Sequence, residues 1–435
     1  MDQNIAVIGS GISGLGAAWA LSGKNQVTVY EADDRIGGHS NTVMVNIGNT
    51  ETPVDTGFIV YNEVTYPNLT RLFSHLDITT RESDMSFSFS LDQRFEFAAS
   101  LRGILAQPSN LLRPSFLRML RDINGFRRAG SSLGPRDGET IGDLLGRHGF
   151  SRAFSRNYLY PMTGAIWSAD HASIESFPAE AILRFLSNHG LITIAGRPRW
   201  RTVVGGSRTY VRSLIAGFEQ SIRMNSPVTS VVRTGSGVVI ESNGHRELFD
   251  HVVLATHSDQ ALAILGSDAT SDERALLGAI PYVNNRAILH GDPRLMPRNR
   301  KVWSSWNAMA RSRDRQSHPA SVTYWMNRLQ GLDTDRNVFV SLNPLTEPDP
   351  ATVWASSEYA HPRFDLGAIA AQEGIASIQG RHNTWFAGAW LGYGFHEDGL
   401  QSGLNVAAAL GSPAPWHGTF TPMSSALPPT ILETV

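Results

Sequence analysis

The sequence predicts an α/β domain with a parallel sheet, joined to an α+β domain that carries a largely antiparallel sheet and a helical subdomain. Three observations lead there. An apolar run, Ile5–Ile8, breaks at a glycine-rich turn and passes into an Ala- and Leu-rich helix, which is how a parallel βαβ sheet opens. Further along, "RAILHGD", "KVWSSWNAM", "SVTYWMN" and "NVFVSL" read as successive short strands, and "DMSFSFSL" followed by "RFEFA" alternates as a hairpin does. Finally, 435 residues exceed what one compact core takes up. Residues 1–61, 201–257 and 376–415 are assigned to the first domain, 62–200 and 258–375 to the second, and 416–435 to a loose tail.

Composition removes several classes of function. The 37 basic and 39 acidic residues nearly cancel, which gives no support to nucleic-acid binding. There is no cysteine, so disulfides, thiolate metal sites and sulfur-linked cofactors are excluded, and no metal site is expected. No apolar run approaches the ~20 residues of a membrane span. The expectation is a cytoplasmic protein, with peripheral contact at the inner face of the membrane left open.

The first element has a physical reading residue by residue. In "NIAVIGSGISGLGAAWALS", Gly9 permits the tight turn, Gly11 lets the backbone approach a pyrophosphate, and Gly14 lets the helix pack on the strand. The first helical turn, Ile12 and Ser13 included, offers free N–H groups and the positive end of the helix dipole. A second strand, "QVTVYEA", ends at Glu31, about 20 residues on, where an acid accepts hydrogen bonds from a ribose. The context is that of a Rossmann-like dinucleotide site. Glu31, Ala32, Arg35, Gly37, Gly38 and His39 then follow in "EADDRIGGHSNT". A nicotinamide site has no use for that glycine pair, whereas FAD must run on past this loop. No second strand–Gly-x-Gly-x-x-Gly–helix unit occurs, because "TGSGVV" at 234–239 reads as a hairpin turn. Electrons would therefore leave to oxygen, a quinone or a protein.

These motifs resemble the flavin-containing amine oxidoreductase superfamily, with the glutathione-reductase-type FAD fold. The likeness runs along essentially the whole chain and is strongest at 4–62, 200–256 and 384–410. "GGHSNT", "DTGFIVYN", "PMTGAIWS" and "GYGFHEDGLQSG" resemble the bacterial "predicted NAD/FAD-binding protein" branch. The resemblance implies non-covalent FAD, a loop at Gly57 and Phe58 passing the flavin ring, and a backbone contact from Val228 to the adenine. It also implies that Asp398 and Gly399 hold the ribityl–phosphate portion. Gly388 then leaves room for the cofactor, and the amides near Leu400 face the pyrimidine end of the flavin, where charge builds on reduction. That branch implies chemistry on fatty acyl chains. Two departures weaken an amine substrate. His39 stands where the family has arginine after its glycine pair, and Asn284, Asn285 and Arg286 stand where a lysine is usual. No aromatic pair suited to caging an amine is evident.

The expected activity is that of an FAD-dependent oxidoreductase, desaturase- or dehydrogenase-like, on a lipophilic substrate such as a fatty acyl chain. An amine oxidase, a redox-neutral lipid isomerase and a non-catalytic flavoprotein remain open. His396 and Glu397 are the candidate catalytic pair, since a desaturation needs a base for the second proton; a structural hydrogen bond is the alternative for His396. Tyr160, Trp167, Trp306, Tyr324, Trp390 and Tyr393 are the candidate pocket walls, and His290 is considered beside them. At 101–130, Leu112, Phe116, Leu117, Leu120 and Ile123 can share one helix face with arginines elsewhere. That pattern reads as a membrane-surface helix or as a surface helix with a solvated arginine face.

Overall fold

A computed structural model describes residues 2–48, 50–191, 198–312 and 321–418. Five parallel strands form the first sheet, in the order Ile222–Arg223, Gln26–Tyr30, Asn4–Ile8, His251–Leu254, Thr384–Phe386. The chain thus leaves this sheet after Tyr30 and returns to it from two distant stretches. Val7 pairs with both Val29 and Val253, so the central strand is covered on both edges and is fully buried. That burial accounts for its unbroken apolar run. A three-stranded antiparallel sheet, Val228–Thr234, Gly237–Ser242 and His245–Phe249, turns at Gly235-Ser236 and packs beside it.

The second layer is a seven-stranded sheet in the order Val353–Pro362, Tyr282–His290, Phe339–Leu342, Ser321–Trp325, Trp306–Ala310, Phe87–Leu91, Phe95–Ala98. All its pairings are antiparallel except Trp306–Ala310 with Phe87–Leu91. The hairpin of the early stretch therefore completes a sheet whose other strands come from late in the chain. Residues 301–305 of the expected strand "KVWSSWNAM" form a turn instead, and pairing starts at Trp306. Helices Pro114–Ala129, Ile141–Arg147, Tyr160–Trp167 and Ala179–Asn188 pack over the hairpin in one apolar core.

The amphipathic segment differs from expectation. Pro114 occupies the first helical turn after an extended Arg113, so the helix begins two residues beyond Leu112. Its buried residues are Phe116, Met119 and Phe126, while Leu117 is half exposed and Leu112 is 85% exposed. The expected tail also starts late. Trp416 stacks on Trp19 at 5.7 Å and donates from Nε1 to Asn68 Oδ1 at 3.0 Å. Residues 419–435 lie outside the described residues.

The first helix, Ile12–Leu21, packs against the C-terminal helix, His396–Ala409, at unusually close range. A Cβ at Gly403 would sit 2.1 Å from Ser13 O, and one at Gly399 would sit 2.8 Å from Ile12 Cγ2. Glycine in "GLQSG" is thus what lets the helix His396–Ala409 lie on the helix Ile12–Leu21.

Candidate active site

Three groups of residues meet at the C-terminal ends of the parallel strands, the edge where α/β sheets bind their ligands. The first is the glycine-rich turn. Gly9 takes a positive φ of 102°, and a Cβ at Gly14 would be 1.9 Å from Gly9 O, so the turn closes only with glycine at these points. Nothing lies within 4 Å of a Cβ built on Gly11, which leaves open space over the first amides of the helix. Glu31 Oε2 accepts from Ser10 N at 2.9 Å and Ser10 Oγ at 2.5 Å, and its Oε1 accepts from Asp33 N at 3.0 Å. Arg35 Nη1 donates to Gly38 O at 2.7 Å. Gly37 N donates to Ser10 O at 3.0 Å, tying the second glycine motif to the first. Ala32 is exposed beside this loop. Val228 follows Ser226, whose N–H donates to Glu31 O at 2.8 Å, so it lies near the same edge.

The second group is the loop at Gly57 and Phe58. Phe58 N donates to His39 O at 2.7 Å, and a Cβ at Gly57 would come within 2.2 Å of that oxygen. His39 is thus held by its own carbonyl while its Nε2 is buried with no hydrogen-bond partner among the described residues.

The third group is the turn before the C-terminal helix. Asp398 Oδ2 accepts from Tyr393 N at 3.0 Å and Phe395 N at 2.9 Å, which closes the turn and starts the helix. Gly399 and Leu400 are buried in its first turn. Gly388 N donates to Ser402 Oγ at 2.9 Å, and a Cβ at Gly388 would lie 2.2 Å from Trp390 Nε1.

FAD fits this arrangement on three observations. Open space lies over Gly11 and the unpaired first amides of a helix, an acid ends the second strand, and an orphaned, buried His39 Nε2 stands between the glycine motifs and the C-terminal turn.

The candidate catalytic pair is placed together but engaged. His396 Nε2 lies 2.7 Å from Tyr210 Oη and 3.3 Å from Ser40 Oγ, and its ring stacks on Phe58 at 3.9 Å. Burial pushes its pKa down to about 3, so the imidazole is neutral. Burial also raises Tyr210. Glu397, beside it in sequence, is engaged elsewhere. Its Oε1 accepts from Asn68 N at 2.9 Å and Asn68 Nδ2 at 2.7 Å, and its Oε2 accepts from Leu69 N at 3.0 Å. It therefore caps the helix Pro67–His75 from the far end of the chain. Burial pushes its carboxyl up to about 7, against the pull of those donors.

The six candidate pocket residues do not form one wall. Trp167 Nε1 donates to Tyr393 O at 3.2 Å, and its ring lies 4.5 Å from Phe185. Phe185 and Tyr393, but not Trp167, line a small cleft together with Tyr66, Phe395, Glu397 and Asp398. Tyr160 is buried in the helical core with its edge on His171. Trp306 and Tyr324 meet edge to face at 4.8 Å on the seven-stranded sheet. Trp390 lies apart from that cleft. It is buried in the core beside the parallel sheet and donates from Nε1 to Thr256 O at 3.0 Å, because the turn at Gly388 folds it inward. His290 bonds Ser341 Oγ at 2.8 Å and accepts from Asp292 N at 3.0 Å, so both ring nitrogens are spent in the sheet.

Several neighbours of the site escape sequence reasoning. Ser40 and Tyr210 lie inside the glycine-rich stretches without any spacing that marks them. His189 comes from the end of the helix Ala179–Asn188, Tyr359 and His361 from the strand Val353–Pro362, and only tertiary packing brings them there.

Comparison with known proteins adds relatives. The model of the family described as "Flavin containing amine oxidoreductase" matches residues 12–300. "Probable polyamine oxidase 4" of Arabidopsis thaliana is 29% identical over 258 residues, which make up 55% of this chain and 47% of that protein. The chain thus spans about half the length of that curated relative. Among solved structures, a cyclohexylamine oxidase from Brevibacterium oxydans superposes with a TM-score of 0.67 at 18% identity, over 94% of this chain and 99% of that one. A CLA-producing fatty acid isomerase from P. acnes superposes with a TM-score of 0.63 at 17% identity, over 94% of this chain and 98% of that one. At such identities the likeness is one of fold.

Proposed function

Because the chain belongs to the flavin-containing amine oxidoreductase family, we propose that it is an FAD-dependent oxidoreductase that takes a hydride from a lipophilic substrate, a fatty acyl chain or lipid. One observation carries the substrate class. The cleft at the C-terminal turn is walled by Tyr66, Phe185, Tyr393 and Phe395, and its two carboxylates are occupied by the chain itself. Glu397 holds the amides of Asn68 and Leu69, and Asp398 those of Tyr393 and Phe395. An ammonium approaching this turn would have to compete with those bonds, whereas an apolar group packed against its aromatic rings gains by leaving water.

FAD, when bound, supplies the electrophilic ring that accepts the hydride. The chain's residues would do the rest. Gly11, Glu31, Arg35, His39 and the turn at Asp398 hold the cofactor, and the aromatic walls exclude water and orient the C–H bond. In this reading His396 and Glu397 are positioning residues: the first fixes Phe58 and Tyr210, the second fixes the helix that carries the cleft's Tyr66 side.

Peripheral membrane contact belongs to the same proposal. Leu101, Leu105, Leu112 and Leu117 are exposed by 77%, 52%, 85% and 50%, beside the exposed Arg102, Arg113, Arg118 and Arg121. No helix among the described residues is long and apolar enough to cross a membrane. The electron acceptor would be oxygen, a quinone or a protein.

A second reading, amine oxidation, is favoured by the polyamine oxidase relative. One experiment separates the two. FAD-loaded protein is mixed anaerobically with long-chain fatty acids or with polyamines, and the visible flavin band is followed. The proposal predicts bleaching by the acyl compounds alone. Bleaching by polyamines alone would replace it with the second reading. An acyl substrate converted with no acceptor consumed would point to isomerisation.

A further inference from the structure

Three histidines from three parts of the chain converge beside the glycine-rich turn. His39 follows Gly37-Gly38, and a Cβ at Gly38 would lie 3.1 Å from Gly11 Cα, so the histidine is anchored against the open face of the glycine-rich turn. His257 follows the strand His251–Leu254, beside Ala255, whose carbonyl is the atom a Cβ at Gly9 would meet at 2.8 Å. His361 comes from the end of the strand Val353–Pro362 in the second layer. The His39 ring lies 5.3 Å from His361, 6.4 Å from His257 and 4.9 Å from Tyr359.

The partners of these rings define their state. Asn285 Nδ2 meets His361 Nδ1 at 3.1 Å, and since an amide nitrogen only donates, His361 Nδ1 accepts and its proton sits on Nε2. His257 stacks on Tyr282 at 4.5 Å, and Tyr359 Oη is held by Asn41 at 3.0 Å and Thr56 at 2.7 Å. Burial, then the neighbouring His361, His257, His396 and Arg35, hold His39 well below the ordinary histidine range. Burial brings His361 to about 4 and lowers His257 against the pull of Asp259. The charged groups that act most on His39 are basic: His361 and His257 from the two layers, His396 of the C-terminal helix, and Arg35 of its own loop; the phenol of Tyr359 beside it is held by Asn41 and Thr56. Glu31, the nearby acid of the nucleotide turn, is tied to Ser10. A buried, unpartnered nitrogen ringed by basic groups lacks one thing, an anion.

We propose that His39, backed by His257 and His361, is the subsite for the cofactor's diphosphate, and that it binds this dianion by taking up a proton. The relatives' arginine would carry its charge at all times; a histidine here is charged only when the anion arrives. Binding and protonation are then linked. Over the range in which the complex holds the proton and the free protein does not, Kd for FAD rises by about tenfold per pH unit per proton.

The inference rests on FAD being the cofactor, and the experiment keeps the two apart. FAD-loaded protein is diluted at a series of pH values between about 6 and 8, and release is read from the fluorescence of free flavin. The wild type is expected to bind more weakly as pH rises. H39Q should lose the dependence, and H39R should bind with a Kd that pH does not move. A wild-type Kd that is flat with pH overturns the proton-linked subsite and leaves FAD binding intact. A protein that holds no FAD at any pH overturns both. H39R also guards against a misfolded H39Q, since it restores the cation without the titration.

Discussion

Burial leaves His396 a neutral ring whose Nε2 is shared between Tyr210 and Ser40 and whose face is covered by Phe58. A general base needs a lone pair aimed at the substrate and a pKa near the working pH; burial pushes the pKa of His396 down to about 3, so we propose a positioning role for it. Its ionisation should be absent from the rate profile between about pH 5 and 9. His396→Ala should lower turnover by roughly tenfold or less, together with some loss of flavin, because what it removes is packing and a hydrogen bond. A fall of about 10²-fold or more at full flavin occupancy is what losing a general base produces, and steady-state kinetics on FAD-loaded enzyme distinguishes the two. The histidine itself was visible in "GYGFHEDGLQSG". Its role was not, since Tyr210 and Ser40 reach it from other segments.

At the scale of elements, Glu397 joins the start of the C-terminal helix to the start of the helix Pro67–His75. Its folded pKa of about 7 stands above its ordinary value of 4.5. The folded state therefore binds more protons than the unfolded chain between those values. The contribution is fully present below about 4.5 and is lost as pH rises through about 7. Glu397→Gln keeps an acceptor for Asn68 and removes the titration. Melting temperature of the variant minus that of wild type should therefore climb between those two pH values; a flat difference would mean that Glu397 is not titrating there. The helices Pro67–His75 and Ile141–Arg147, the hairpin at 87–98 and the parallel sheet's core strands were legible from periodicity and capping patterns. The exposed leucines were not, because Pro114 resets the helix start and turns Leu112 away from the buried face. Trp390 misled for a similar reason: a tryptophan beside glycines reads the same whether the turn folds it outward or into the core.

At the scale of the molecule, the glycine-rich turn at 9–14, the loop at 57–58 and the turn at 388–398 meet at one sheet edge, while the exposed leucines lie on the helical part of the second layer. Arg102, Arg113, Arg118, Arg121 and Arg128 are exposed around those leucines, and the one acid of 101–130, Asp122, accepts from Ser151 N at 2.9 Å. A chain with a net charge of −2 should then still sediment with anionic phospholipid vesicles. Each leucine inserted contributes about 1.5–3 kcal/mol, so Leu112→Asp with Leu117→Asp should weaken that binding at least tenfold. Equal sedimentation of variant and wild type would remove the membrane from the account. The nucleotide fold was the most legible part of the sequence, since strand, glycine turn, helix and Glu31 follow one another without interruption. The cleft was the least legible, since its walls come from three separate stretches.

The central claim is that this edge holds FAD without a covalent bond, through the glycine turn and Glu31. It is tested most directly by the flavin content of the purified protein, compared with that of Glu31→Ala. The account predicts close to one FAD per wild-type chain, released on denaturation, and a several-fold lower content in the variant. A colourless wild type, flavin that stays attached after denaturation, or full occupancy in Glu31→Ala would contradict it.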